Sequence, residues 1–229
     1  MKILSALTLL LMSHGLFSQN DELTQLKQLW LSYQDNQELT IIDEALTLIE
    51  EIEEQGLVMN TKELLQKALI YREAFKHNRS EDPTALAEKV IQAFATVLEA
   101  DEKMIFRHQI LAELYNSKNE MIISGNEAYA KNELKLAFEM ASKALAANNL
   151  EINYPRFTAR DTSLIFSRAV FANLAGEEEI ALTEFEKLVE WQYNRPDLYD
   201  YLLVLYQKDG NQTKVEEIKK LKSIRFPQK

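Results

Sequence analysis

The sequence predicts an all-α chain built of antiparallel helix hairpins, on three observations. Apolar residues recur three and four apart throughout, as in Ile41, Ile42, Ala45, Leu48, Ile49 and Ile52, and strand-like alternation of apolar and polar residues is absent. Glycine and proline are scarce, five and four in 229 residues. Nearly all sit where a helix begins or ends: Gly56, Gly176 and Gly210 close or open helical runs, Pro83 and Pro196 fall in first turns, and Pro155 lies in a linker. Gly176 and Gly210 stand 34 residues apart (210 − 176). That period belongs to repeat proteins, which work by surface rather than by a catalytic pocket.

The first nineteen residues read as a targeting segment. Lys2 supplies positive charge, Ile3 to Met12 form a short apolar core broken by Ser5 and Thr8, and Ser13-His14-Gly15 end it before Leu16-Phe17-Ser18-Gln19. About ten apolar positions are too few to span a hydrocarbon core ~30 Å thick. Residues 1–19 are therefore expected to be a Sec-type bacterial signal peptide, cleaved after Ser18 or Gln19, and the mature chain to be periplasmic or secreted. Helices are expected near 21–34, 38–55, 60–77, 83–100, 102–117, 119–131, 133–148, 159–174, 177–192, 196–208 and 212–224. Asp82 ahead of Pro83, and Asn211 or Thr213 ahead of the last helix, offer N-caps. Asn132 is expected to divide 119–148, which otherwise reads as one long helix. Loops of two to five residues force neighbouring helices antiparallel. The long exception is Asn149 to Arg160, an insertion between two hairpins.

No later segment is long and apolar enough to cross a membrane, so no membrane insertion is expected once the leader is removed. The chain has no cysteine, which removes disulfides, thiolate metal sites and a cysteine nucleophile together. Acidic residues number 36 against 26 basic, a formal net charge of −10; losing Lys2 leaves −11 (25 − 36). Nucleic-acid affinity comes largely from Lys and Arg displacing counterions, and anionic membranes disfavour an acidic surface in the same way. Nucleic acid and membrane surfaces are therefore not the expected partners.

Small residues mark where helices must touch. Gly125, Ala137, Ala169 and Ala181 let two helix axes approach to about 8–10 Å, and the turns need residues that tolerate left-handed φ, hence Asn132, Gly176 and Gly210. Leu203 and Val215 hold the corresponding places of the last hairpin, which should be looser. Laid in register, the three units read Met121, Ser124, Gly125, Ala128, Asn132, Ala137, Ala141 and Asn149, then Ile165, Arg168, Ala169, Ala172, Gly176, Ala181, Phe185 and Tyr193. The third reads Tyr199, Leu202, Leu203, Tyr206, Gly210, Val215, Lys219 and Pro227. On these residues the segment 118–227 resembles the tetratricopeptide repeat family. The resemblance implies an αα-superhelix, a TPR-like solenoid, with residues 118–229 as three repeats and 20–117 as degenerate hairpins continuous with them.

The resemblance also implies where a ligand lies: on the concave face lined by the first helix of each hairpin, where extended peptides or partner helices bind. Carried over by position, that face holds Asn119, Ile122, Asn126, Tyr129 and Ala130, then Ser163, Phe166, Val170, Asn173 and Leu174, then Asp197, Asp200, Val204, Gln207 and Lys208. Ile122, Asn126, Tyr129, Phe166, Val170, Asn173, Val204, Gln207 and Lys208 are the candidate partner-binding residues. Asparagine suits the task because its amide both donates to and accepts from a peptide backbone. Ile122, Tyr129, Phe166, Val170 and Leu174 form an apolar contact strip if exposed; alternatively a neighbouring helix or the 149–160 insertion covers them. The family's carboxylate clamp of Lys, Asn, Asn, Lys and Arg is not expected, since Ile122 and Val170 replace two of its members and Lys208 alone cannot hold a carboxylate bidentately.

No catalytic residue, metal site or cofactor is expected. His77 and His108 lack a second ligand one turn away, no serine has a partner base, and the run Glu50, Glu51, Glu53 and Glu54 reads as a solvated face. In the aromatic group Trp191, Tyr193, Tyr199, Tyr201 and Tyr206, Tyr199 and Tyr206 fall at core places and Tyr201 is expected to point outward. The sequence points to a non-enzymatic scaffold for a protein or peptide, or else to a structural subunit that uses lateral and terminal faces.

Overall fold

In a computed structural model of the protein, residues 21–152 and 161–227 are described; the expected leader and residues 153–160 of the 149–160 insertion lie outside them. Among the described residues there are ten helices and no strand: α1 (21–36), α2 (Leu39–Glu54), α3 (Thr61–Lys76), α4 (Pro83–Ala100), α5 (Arg107–Ala130), α6 (Leu134–Ile152), α7 (Thr162–Ala175), α8 (Glu178–Glu190), α9 (Pro196–Lys208) and α10 (Gln212–Arg225). Helices consecutive along the chain pack on one another. No described helix is long and apolar enough to cross a membrane.

Local chemistry sets most boundaries. The Asn60 side chain accepts from Lys62 and Glu63 N–H while Glu63 returns a bond to the Asn60 N–H, a complete capping box for α3. Asp82 caps α4 through Ala85 N–H ahead of Pro83, and Asn211 caps α10 through Lys214 N–H. Among the described residues six turns share one device, at Gly56, Asn78, Asn132, Gly176, Gln192 and Gly210. Asn132, Gly176 and Gly210 adopt φ of 62°, 89° and 72°, and the residue after each donates back five places, Glu133 to Ala128, Glu177 to Ala172 and Asn211 to Tyr206. This closes the last carbonyls of α5, α7 and α9.

The structure corrects three expected boundaries. The helices expected at 102–117 and 119–131 are one, α5, beginning only at Arg107. Lys118, between them, is no breaker, and the Ser117 hydroxyl turns back onto the Glu113 carbonyl at 2.8 Å within the continuous helix. Residues 101–106 instead form a turn held by the buried Asp101 carboxylate, which accepts the N–H groups of Ile105 and Phe106 at 2.8 Å each. Helix α6 continues past 148 to Ile152, because Asn148 is drawn inward to accept from Lys118 Nζ at 3.2 Å.

The chain divides between Ser117 and Lys118, within α5, into two units. In the first, Gln55, which follows the last turn of α2, donates to Glu22 near the start of α1 at 3.0 Å. Ile42, Ile49, Ile52, Ile70, Phe94 and Ile110 fill its core. A buried polar chain also crosses it: Tyr33 of α1 donates to Glu73 of α3 at 2.8 Å, and Arg72 of α3 pairs with Glu113 of α5 at 2.8 Å.

The second unit holds the rest of α5 with α6–α10. Gly125 is the point of closest approach between α5 and α6: a Cβ there would stand 3.3 Å from the Ala137 carbonyl oxygen and 3.3 Å from Met140 Cβ. Ala169 of α7 and Ala181 of α8, both fully buried, lie in one core cluster where those helices pack. Tyr199 of α9 is fully buried and its hydroxyl has no hydrogen-bond partner among the described residues. An unmade bond costs more than an absent group. Tyr199→Phe is therefore expected to leave the thermal midpoint unchanged or raise it by the equivalent of about 1 kcal/mol; a clear drop would reveal a partner for that oxygen.

Candidate functional site

Among the described residues, the second unit presents a recess between α5, α6 and α7. Ile122, Gly125 and Asn126 of α5, Ala141 of α6, and Asp161, Ser163, Leu164, Ser167 and Phe171 at and along α7 line a cleft of about 260 Å³. Gly125 makes it possible twice over: it lets α6 close the floor, and it leaves no side chain to fill the space. Asp161 is the N-cap of α7, accepting from Leu164 N–H at 3.0 Å, and lies 3.9 Å from Lys118 Nζ. Ser163 Oγ stands 3.4 Å from the Tyr193 hydroxyl. At the edge, the Tyr129 ring is 49% exposed and packs on Phe171 at 5.3 Å between centroids.

Of the residues placed by sequence on the inner face, Ile122 and Asn126 come together in this cleft with Ser163, and Tyr129 adjoins it through Phe171. Val170 and Asn173 are half-buried along α7, and Val170 packs against the core on both sides. Val204 is 60% exposed and Gln207 is exposed on α9. Lys208 is exposed but engaged, its ammonium paired with Glu178 of α8. The insertion considered as a cover for this face lies in part outside the described residues.

Two expectations are corrected. Phe166 is 6% exposed and offers no contact surface. It forms the centre of an aromatic cluster with Phe185 at 5.9 Å, Tyr193 at 5.8 Å and Tyr201 at 6.2 Å, and the Arg195 guanidinium stacks on it at 4.4 Å. Tyr201 does not point outward: it stacks on Phe185 at 5.2 Å with the rings 11° from parallel. Its hydroxyl is pushed above the ordinary phenol range, first by burial and then by the Asp197 carboxylate. Sequence reasoning did not pick out Asp161, Leu164, Ser167 and Phe171. The available signal was the N-cap pattern Asp161-Thr162-Ser163-Leu164, which starts α7 three residues after the expected boundary of 159.

Elsewhere, His77 ends α3 with Nε2 3.6 Å from Glu73, and His108 is exposed. Among the described residues no group of three or more His, Asp or Glu is placed to hold a metal ion. No protein-family model, no curated protein and no solved structure matches the chain.

Proposed function

We propose that the protein is an exported, non-enzymatic interaction scaffold whose second unit, residues 118–227, is a TPR-like αα-superhelix binding a protein or peptide on the face formed by α5, α7 and α9. One observation carries this reading: the cleft joins Ile122 and Asn126 of α5 to Ser163 of α7, three positions that the repeat register assigns independently to the inner face. Exposed apolar side chains on this face, Tyr129 and Val204, supply contact area where interaction surfaces carry aromatic anchors. The test is a crosslinking pull-down of the native exported protein against a Tyr129→Ala/Val204→Ser variant. The variant is expected to lose its partners while keeping wild-type helicity; an unchanged set of partners removes this face from consideration.

A second reading, a structural subunit that uses a lateral face, draws on the first unit. Val58, 87% exposed, and Met104 and Ile105, both exposed, occupy two turns joined by the Thr61 hydroxyl bond to the Ala100 carbonyl at 3.2 Å. The same pull-down separates the two readings. Loss of partners on Val58→Ser/Ile105→Ser, with retention on Tyr129→Ala/Val204→Ser, selects the subunit.

A further inference from the structure

One end of the first unit holds apolar side chains out in water. Met104 and Ile105 are 60% and 69% exposed, and Val58 in the neighbouring turn is more so. The backbone that presents them is fixed. Met104 N–H donates to the Asp101 carbonyl at 2.9 Å, and the buried Asp101 carboxylate takes the N–H groups of Ile105 and Phe106. Met104 is thereby held at φ 55°, a left-handed conformation that costs free energy with a methionine side chain and that glycine adopts freely. Neither the strain nor the exposure benefits the isolated fold. Strain of this kind collects at functional sites, and apolar side chains exposed together mark contacts.

Charge names the occupant. Glu102 and Lys103 stand beside the apolar pair, both exposed and neither in an ion pair among the described residues. An anionic bilayer or a nucleic acid is matched by cations alone, and a basic partner by carboxylates alone. Adjacent unpaired charges of opposite sign complement themselves instead: across a twofold axis each Glu102 meets the Lys103 of the other copy. Repulsion between copies is also small here. The chain carries a formal charge of −10, whereas residues 57–62 and 101–107 hold Lys62, Lys103 and Arg107 against Asp101 and Glu102, a formal +1 (3 − 2). Resting on the reading of this unit as a structural subunit, and naming its partner, we infer that this end of the first unit docks on the same end of a second copy of this chain. Val58, Met104 and Ile105 then close on their counterparts about a twofold axis.

The test is sedimentation velocity of the full chain at concentrations up to about 500 μM. Three apolar side chains from each copy make an interface below the standard size, so a reversible dimer is expected with a Kd of about 100 μM. Glu102→Lys sets lysine against lysine, and Lys103→Glu sets carboxylate against carboxylate. Each is expected to weaken dimerisation at least about tenfold, and an equal mixture of the two variants to restore it, because both cross pairs are then opposite in sign. Met104→Gly relieves the backbone and removes the apolar contact. Its association is expected to fall at least about tenfold while the thermal midpoint of dilute protein stays or rises; a residue kept only for folding would lower that midpoint. A monomer throughout the range, no rescue in the mixture, or unchanged association of Met104→Gly overturns the inference. If the chain is monomeric while Val58→Ser/Ile105→Ser still loses partners in the pull-down, the subunit reading stands and the occupant is a different protein.

Discussion

Gly125→Leu is expected to destabilise the second unit by about 3 kcal/mol, the upper end of what overpacking a closed contact costs. The added Cβ meets Ala137 carbonyl oxygen and Met140 Cβ, each at 3.3 Å, and the first of these is backbone on a neighbouring helix that cannot rotate away. Branches beyond Cβ then have to force α5 from α6 over fully buried Ala137 and Met140. Better helix propensity returns only about 1 kcal/mol, so the steric term wins. Gly125→Ala isolates the two effects: propensity gains about 1 kcal/mol and the tight contact removes a similar amount, so its net change is expected within about 1 kcal/mol of zero. Urea denaturation followed at the helical band reads both. A wild-type midpoint for Gly125→Leu would mean that the two helices do not meet at this residue.

What was legible in the sequence is what short-range chemistry decides. Asp82, Asn211, Gly176 and Gly210 act within a turn of where they stand, and each ends or begins a helix as read. Asn132 was ambiguous as a letter, since Asn116 and Asn119 remain inside α5; the difference lies in the 6→1 bond that Glu133 makes to Ala128. The merger across Lys118 was not legible, because what holds that residue inside a helix is Asn148, thirty places away. Phe166 failed for a related reason. Positions on a helix are separated by about 100° each, so register assigns a face only to within a side chain or so. What pulls Phe166 inward is a set of distant rings and one guanidinium that no local pattern marks. The same long-range contacts decide that Ile122 and Asn126 share a recess with Ser163 and Ser167 while Val204 stays outside it.

Arg168→Ala is expected to cost about 3 kcal/mol near neutral pH, the scale for removing one member of a buried pair. Arg168 joins three helices: its Nε donates to Ser142 Oγ of α6 at 2.8 Å, its guanidinium pairs with Glu184 of α8, and it lies over the Phe138 ring at 5.2 Å. Glu184 is buried, and its Oε2 has no hydrogen-bond partner among the described residues. Burial therefore already raises its carboxyl above the usual range, with Arg168 the main group pulling it back. Without the arginine the carboxyl rises further. Its folded state then binds a proton more readily than the unfolded chain, so stability contributed by this site falls as pH increases from the ordinary glutamate value, about 4.3, through the raised one. Acidification is accordingly expected to rescue Arg168→Ala: its urea-midpoint deficit at about pH 5 should be clearly smaller than at about pH 7. Arg168→Met combined with Glu184→Leu should lie near wild type at both, because an apolar pair of similar volume leaves no charge to desolvate. A deficit that stays constant with pH and survives in the double variant would assign the loss to the Phe138 and Ser142 contacts instead, and would make Arg168 a packing residue rather than the counter-ion of Glu184.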